Sequence, residues 1–125
     1  MQAKKILMAG SFFLILGVGL GAFGAHGLEK KVTAAAIKVY ETGVRYHFYH
    51  AIGLMILGLI QLHLKEISLK LPALLMQLGI ILFSFNCYLY AATGIKAFAM
   101  IVPIGGLSFM AAWALTLFKI KGYRF

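Results

Sequence analysis

The chain has 125 residues, 62% of them hydrophobic and only 12% charged, against roughly 25% charged in an average soluble domain. A domain this small has too much surface for so few charged side chains to cover, which excludes a free soluble monomer, and its hydrophobicity excludes a disordered chain. The net charge of +9 would suggest nucleic acid in a soluble protein, but here the basic residues punctuate apolar runs, as residues flanking membrane spans do, so no nucleic-acid partner is expected.

The first uncharged run, Ile6–Leu28, is long enough to cross a bilayer as a helix. Lys4 and Lys5 precede it, and Ala22 and Gly24 are small enough for a cleavage site. The apolar stretch before that site is longer than a signal peptide needs, so the reading is a retained span over about 6–28. At 100° per residue Gly10, Gly17, Gly21 and Gly24 share one face, and Gly17 and Gly21 form a GxxxG pair, a surface for close helix packing.

Next comes a charged segment. Lys38, Glu41 and Arg45 make one polar stripe, and Glu41 to Arg45 is the favourable i,i+4 orientation. Ile37, Tyr40 and Val44 lie opposite, so a short amphipathic helix over about 33–46 is predicted at the membrane interface, running into a second span over about 46–64. In that span Gly43, His47, His50, Leu54, Gly58 and Gln61 form a narrow stripe opposite the charges. The charges therefore face headgroups and the two histidines face the bundle.

The third span, about 72–93, has Gln77, Ser84 and Tyr88 on one face and Gly79, Asn86 and Tyr90 on another, as expected of a helix surrounded by protein. The fourth, about 98–118, contains Pro103, Gly105 and Gly106, read as helix packing with a kink or, less simply, as a broken helix lining a cavity. Trp113 and His63 read as interface anchors. The single Cys87 has no intrachain disulfide partner.

These elements predict an all-α fold: a four-helix transmembrane bundle with a short interfacial amphipathic helix before the second span, in one integral membrane domain over 1–125. Short loops make neighbouring helices antiparallel. Lys4, Lys5, Lys65, Lys70, Lys119, Lys121 and Arg124 then share one side, outnumbering Lys30, Lys31, Lys38, Arg45 and Lys96 on the other. The positive-inside rule places both termini in the cytoplasm and the protein in the cell membrane. The same topology gathers His26, His47, His50, Asn86, Tyr88 and Tyr90 in the other leaflet as a candidate polar cluster or ligand site, with Gly17, Gly21, Gly24, Pro103, Gly105 and Gly106 as packing residues.

His47 and His50, at i,i+3, could share a metal with His26, but the chain has no Asp, Glu41 projects to the wrong side and no zinc spacing is present. The reading is therefore no metal and no cofactor, with each histidine bonding a carbonyl or a Tyr across helices. No nucleophile–base–acid set is visible: Ser84 and Ser108 lack a spaced partner and Cys87 has no cation near it in sequence. No catalytic residues are assigned.

Gly21-Ala22-Phe23-Gly24-Ala25-His26-Gly27-Leu28, Tyr46-His47-x-x-His50-Ala51, Leu82-Phe83-Ser84, and Pro103-Ile104-Gly105-Gly106 with Trp113 resemble a family of small bacterial membrane proteins, the "domain of unknown function 423" family. Its eukaryotic relative is of the transmembrane-protein-256 type. The resemblance runs nearly end to end, and the block at 21–28 is its most specific part. Where relatives tend to carry Gly-Ser after the Phe-Ser of the third helix, this chain has Phe85-Asn86. The resemblance implies a four-helix membrane protein and no known activity. Two functions stay open on the residues: an interaction or accessory protein, docking onto a larger membrane complex or onto itself; or a site for a lipid, quinone-like molecule or proton around His47 and His50.

Overall fold

The structure, a computed structural model, describes residues 2–125 as four long helices joined by short turns. Helix α1 spans Gln2–His26, followed by a single 3₁₀ turn at Leu28–Lys30. Helix α2 spans Ala34–His63, α3 spans Lys70–Thr93 and α4 spans Lys96–Lys121. No strand occurs among the described residues. In a bilayer each backbone group must bond within its own segment, and uncharged runs meet that demand as helices.

Local chemistry sets the ends. The Thr33 hydroxyl caps α2 by accepting from the Ala36 N–H at 3.1 Å. Gly94, at φ 71°, closes α3 in the left-handed conformation that glycine adopts without steric cost. Gln61 organises the turn after α2: its amide nitrogen donates to the Ile67 carbonyl at 2.8 Å, and its oxygen accepts from the Leu69 N–H at 2.7 Å.

Contacts between helices give the topology. Gly10 meets Met55, Gly17 meets Phe48 and Gly24 meets Tyr40, so α1 and α2 are antiparallel. Gly43 meets Cys87 and Gly53 meets Met76, which sets α3 antiparallel to α2. Gly79 packs on Phe109 and Gly105 on Phe83, which sets α4 antiparallel to α3. The bundle is up-down-up-down: α3 lies against the other three helices, and α2 packs on α1 and α3 and reaches α4 through the side chain of His50. Its core holds Leu54, Leu57, Met76, Ile80, Phe109 and Ala112. Lipid is as apolar as leucine, so close packing holds such helices together, and small residues permit it.

Several expectations change. Three helices are long and apolar enough to cross a membrane: α1 with its following turn, α3 and α4. Helix α2 falls below that hydropathy, since it carries His47, His50, Gln61 and His63 along its length. The amphipathic segment and the second span are one unbroken helix. The tight seam on α1 is Gly10–Gly17–Gly24, spaced by seven, and not the Gly17–Gly21 pair. A Cβ at Gly17 would lie 3.1 Å from the Phe48 ring, whereas one at Gly21 would meet Val44 at an ordinary 3.6 Å. Spacing by seven is the register of a left-handed seam. Helix α4 passes Pro103 without a break, the proline lying exposed. Gly105 is buried, and a Cβ there would collide with the Leu82–Phe83 backbone, while Gly106 beside it is only half-buried.

Helix α3 holds the largest departure. Its middle, Ile80–Phe85, is π-helical. The Asn86 amide donates back to the Ile81 and Leu82 carbonyls at 3.2 and 2.9 Å, partnering acceptors that the wider turns loosen.

Candidate functional site

The stripe Gly43, His47, His50, Leu54, Gly58 and Gln61 is buried along its whole length, while Lys38, Glu41 and Arg45 are exposed. The two histidines nevertheless point into different surroundings.

His47 is fully buried. Its Nε2 lies 2.7 Å from the Phe13 carbonyl oxygen of α1, and its Nδ1 lies 2.8 Å from the Tyr88 hydroxyl of α3. A carbonyl only accepts, so the proton is assigned to Nε2, and Nδ1 accepts from the Tyr88 O–H. One side chain thus ties three helices together. The rings of Phe13, Phe48 and Phe85 surround it.

His50 makes the opposite choice. Its Nδ1 lies 2.7 Å from the Tyr46 carbonyl one turn back, and its Nε2 lies 3.0 Å from the Trp113 indole nitrogen of α4. An indole N–H only donates, so Nε2 carries the lone pair and Nδ1 the proton. The ring stacks on Phe109 with centroids 3.5 Å apart and planes 10° apart. His50 is neutral in this arrangement. A proton on His50 Nε2 would set two N–H groups against each other.

His50 also forms part of the wall of a lateral groove of about 620 Å³ between α2, α3 and α4. Tyr46, Phe83, Phe109 and Trp113 supply its aromatic lining, and Pro103, Leu107 and Met110 its outer rim. It opens on the face where Leu107 and Met110 are exposed, toward lipid.

The cluster expected from the sequence is only partly assembled. His47 and Tyr88 are bonded, and His50 lies one turn away on separate partners. Asn86 serves the π segment. Tyr90 is half-buried and turns to a different groove, with Val32 and Val39. His26 is exposed at the far end of α1, thirteen residues from Phe13, or about 20 Å along the axis. Among the described residues no three His, Cys, Asp or Glu side chains converge as a metal site would need.

Depth is the second correction. The sites lie halfway along the helices, near the midpoints of α1, α2 and α4, and not close to one surface. Measuring from Tyr46 misplaces His50, because α2 begins twelve residues earlier, at Ala34. The same shift brings Trp113, expected as an interface anchor, to His50. His63 is exposed and bonds the Leu59 carbonyl of its own helix at 2.9 Å. The partners missed in the sequence are the Phe13 carbonyl, Phe109 and Trp113. A carbonyl carries no sequence signal, but Phe109 and Trp113, at i,i+4, place two aromatic rings on one face of a helix that runs parallel to α2.

The chain matches the family described as "Protein of unknown function (DUF423)" over residues 20–106 and belongs to it. It is similar to the UPF0382 membrane protein YwdK of Bacillus subtilis, 41% identical with 96% of this chain and 98% of the relative covered. A UPF0382 membrane protein of Staphylococcus haemolyticus is 38% identical over 95% of this chain and 99% of its own length. The UPF0382 inner membrane protein YgdD of Escherichia coli is 35% identical over 94% and 89%. No solved structure matches. The protein is therefore a small helical membrane protein in contact with the lipid bilayer.

Proposed function

We propose that this member of the DUF423 family is an interaction or accessory protein of the cell membrane, working through its outer surfaces and not through a catalytic centre in its core. One observation carries the reading. All four nitrogens of His47 and His50 already have protein partners, so neither ring has a free nitrogen to offer a substrate. Partnered polar groups of this kind fix a helix arrangement. Helix α1 supports the same reading, since Met8, Phe12, Ile15, Val18 and Phe23 leave one of its faces uncovered by the other helices. The partner is a larger membrane complex or a second copy of the chain.

The membrane is the cell membrane, a reading supported by the E. coli relative, which is called an inner membrane protein. Both termini lie in the cytoplasm by the balance of Lys and Arg. Reporter fusions at the Lys65–Lys70 loop and at the C-terminus should report the same side; opposite sides would defeat the topology.

Native mass spectrometry after mild-detergent purification tests the function. Assemblies of more than one copy, or a stoichiometric second protein, are expected. A bare monomer carrying a copurifying apolar small molecule other than a phospholipid would overturn it in favour of a second reading, which the lateral groove supports: a flat apolar ligand held against Tyr46, His50, Phe109 and Trp113. On that reading His50→Gln keeps the fold and loses the small molecule.

A further inference from the structure

The ends of α1 and α3 that begin at the same surface enclose a second cleft, of about 540 Å³, within the range of ligand pockets. Lys5 of α1 and Lys70 of α3 both line it, with Gln2 and Gln77; its remaining walls are Ile6, Ala9, Ala73 and Leu74. None of the chain's three glutamates, Glu29, Glu41 and Glu66, lies among the lining residues. Two cations from separate helices thus share one cleft, where their repulsion is relieved by an anion. Helix α3 adds to the positive field, because its first turn opens here and its N-cap, Leu69, offers no side-chain bond. The Ser68 hydroxyl donates to the Gln2 side-chain oxygen at 3.2 Å, which links the start of α1 to the turn before α3 beside the cleft.

We infer that this cleft binds the phosphate of an anionic phospholipid between Lys5 and Lys70, with one acyl chain against Ile6, Ala9, Ala73 and Leu74. The apolar wall selects lipid over a free anion, since phosphate alone would leave it uncovered. Lysine stems can lie along such a wall while their ammonium groups reach headgroup level. Gln77, two turns below Lys70, also lines the wall, its amide N–H donating to the Ala73 carbonyl of its own helix at 3.3 Å.

The test is native mass spectrometry of the full chain titrated with phosphatidylglycerol or with phosphatidylcholine of the same acyl chains. Phosphatidylglycerol should be retained in preference. Lys5→Gln or Lys70→Gln should each weaken its retention about fivefold, and the double variant about thirtyfold. Lys31→Gln and Lys96→Gln, at the other surface, should leave it unchanged. The same lipid should raise the melting temperature of the parent protein and not of the double variant. Equal retention of the two lipids, or an equal loss in Lys31→Gln, would overturn the inference, because bulk charge would then explain the binding. Inorganic phosphate displacing the lipid at equal concentration would overturn it too, since the acyl contact would contribute nothing.

Discussion

His47 and His50 stand three residues apart on one helix and hold their protons on opposite nitrogens. His47 is sealed between α1 and α3, where both partners are themselves buried in protein. His50 faces α4 and forms part of the wall of a groove open to lipid. Gly105 and Gly106 repeat the contrast one residue apart: the first is pressed onto the backbone of α3, and the second borders the groove, where a Cβ would find Phe83 at 3.8 Å. On this bundle the step from a structural position to one exposed to ligands is a single turn or less. Residue type does not decide it; what lies behind the side chain does.

Four substitutions break or sharpen that contrast. Gly105→Ala should cost the most, about 3 kcal/mol in detergent unfolding, because the new methyl meets main chain that cannot swing aside. An unchanged unfolding midpoint would mean that α3 and α4 are further apart than described. His47→Leu should cost about 2 kcal/mol, leaving the Phe13 carbonyl and the Tyr88 hydroxyl without their partner in a dry core. His50→Leu should cost about 1 kcal/mol or less, since the indole it abandons borders the groove. Its clearer mark is optical: Trp113 is the only tryptophan, so losing its hydrogen bond should shift the emission of the whole protein. Equal penalties for the two histidine variants would erase the distinction between sealed and open positions. Gly106→Ala should change stability by no more than about 0.5 kcal/mol, and a penalty like that of Gly105→Ala would show that the groove is closed.

Much of the fold was legible because charge is so scarce in this chain. Fifteen charged residues gathered between apolar runs mark where helices end, and short turns then leave little choice of topology. The buried stripe on α2 was legible for the same reason, since Lys38, Glu41 and Arg45 fix which face is wet. The pairing of the histidines was not. It depends on how deep each residue lies, and the uncharged run begins at Tyr46, twelve residues after the helix does. The glycine seam was half-legible: Gly10, Gly17, Gly21 and Gly24 share a face, but only the neighbouring side chains of α2 decide which of them are in tight contact. In the most distinctive sequence block Gly24 and Leu28 pack inward, but His26 faces outward, and packing does not explain it. The Ser84 hydroxyl, fully buried in the π segment with no hydrogen-bond partner, was equally invisible.

The π segment of α3 has a mechanical consequence. An α-helix works like a screw whose thread advances 100° per residue, so the face it shows at one end fixes the face at the other. Six residues wound wider than the rest put the two halves of α3 out of phase. The half before Ile80 turns Met76 and Gly79 toward α2 and α4, and the half after Phe85 turns Cys87 and Tyr88 toward the upper part of α2. In an unbroken α-helix Met76 and Cys87, eleven residues apart, would already share a face to within about 20°, whereas Tyr88 would lie about 120° from Met76. Wider turns rotate less per residue and so bring Tyr88 round toward that face, where its hydroxyl meets His47 Nδ1, while the Asn86 amide donates to the carbonyls of Ile81 and Leu82 at the end of the segment.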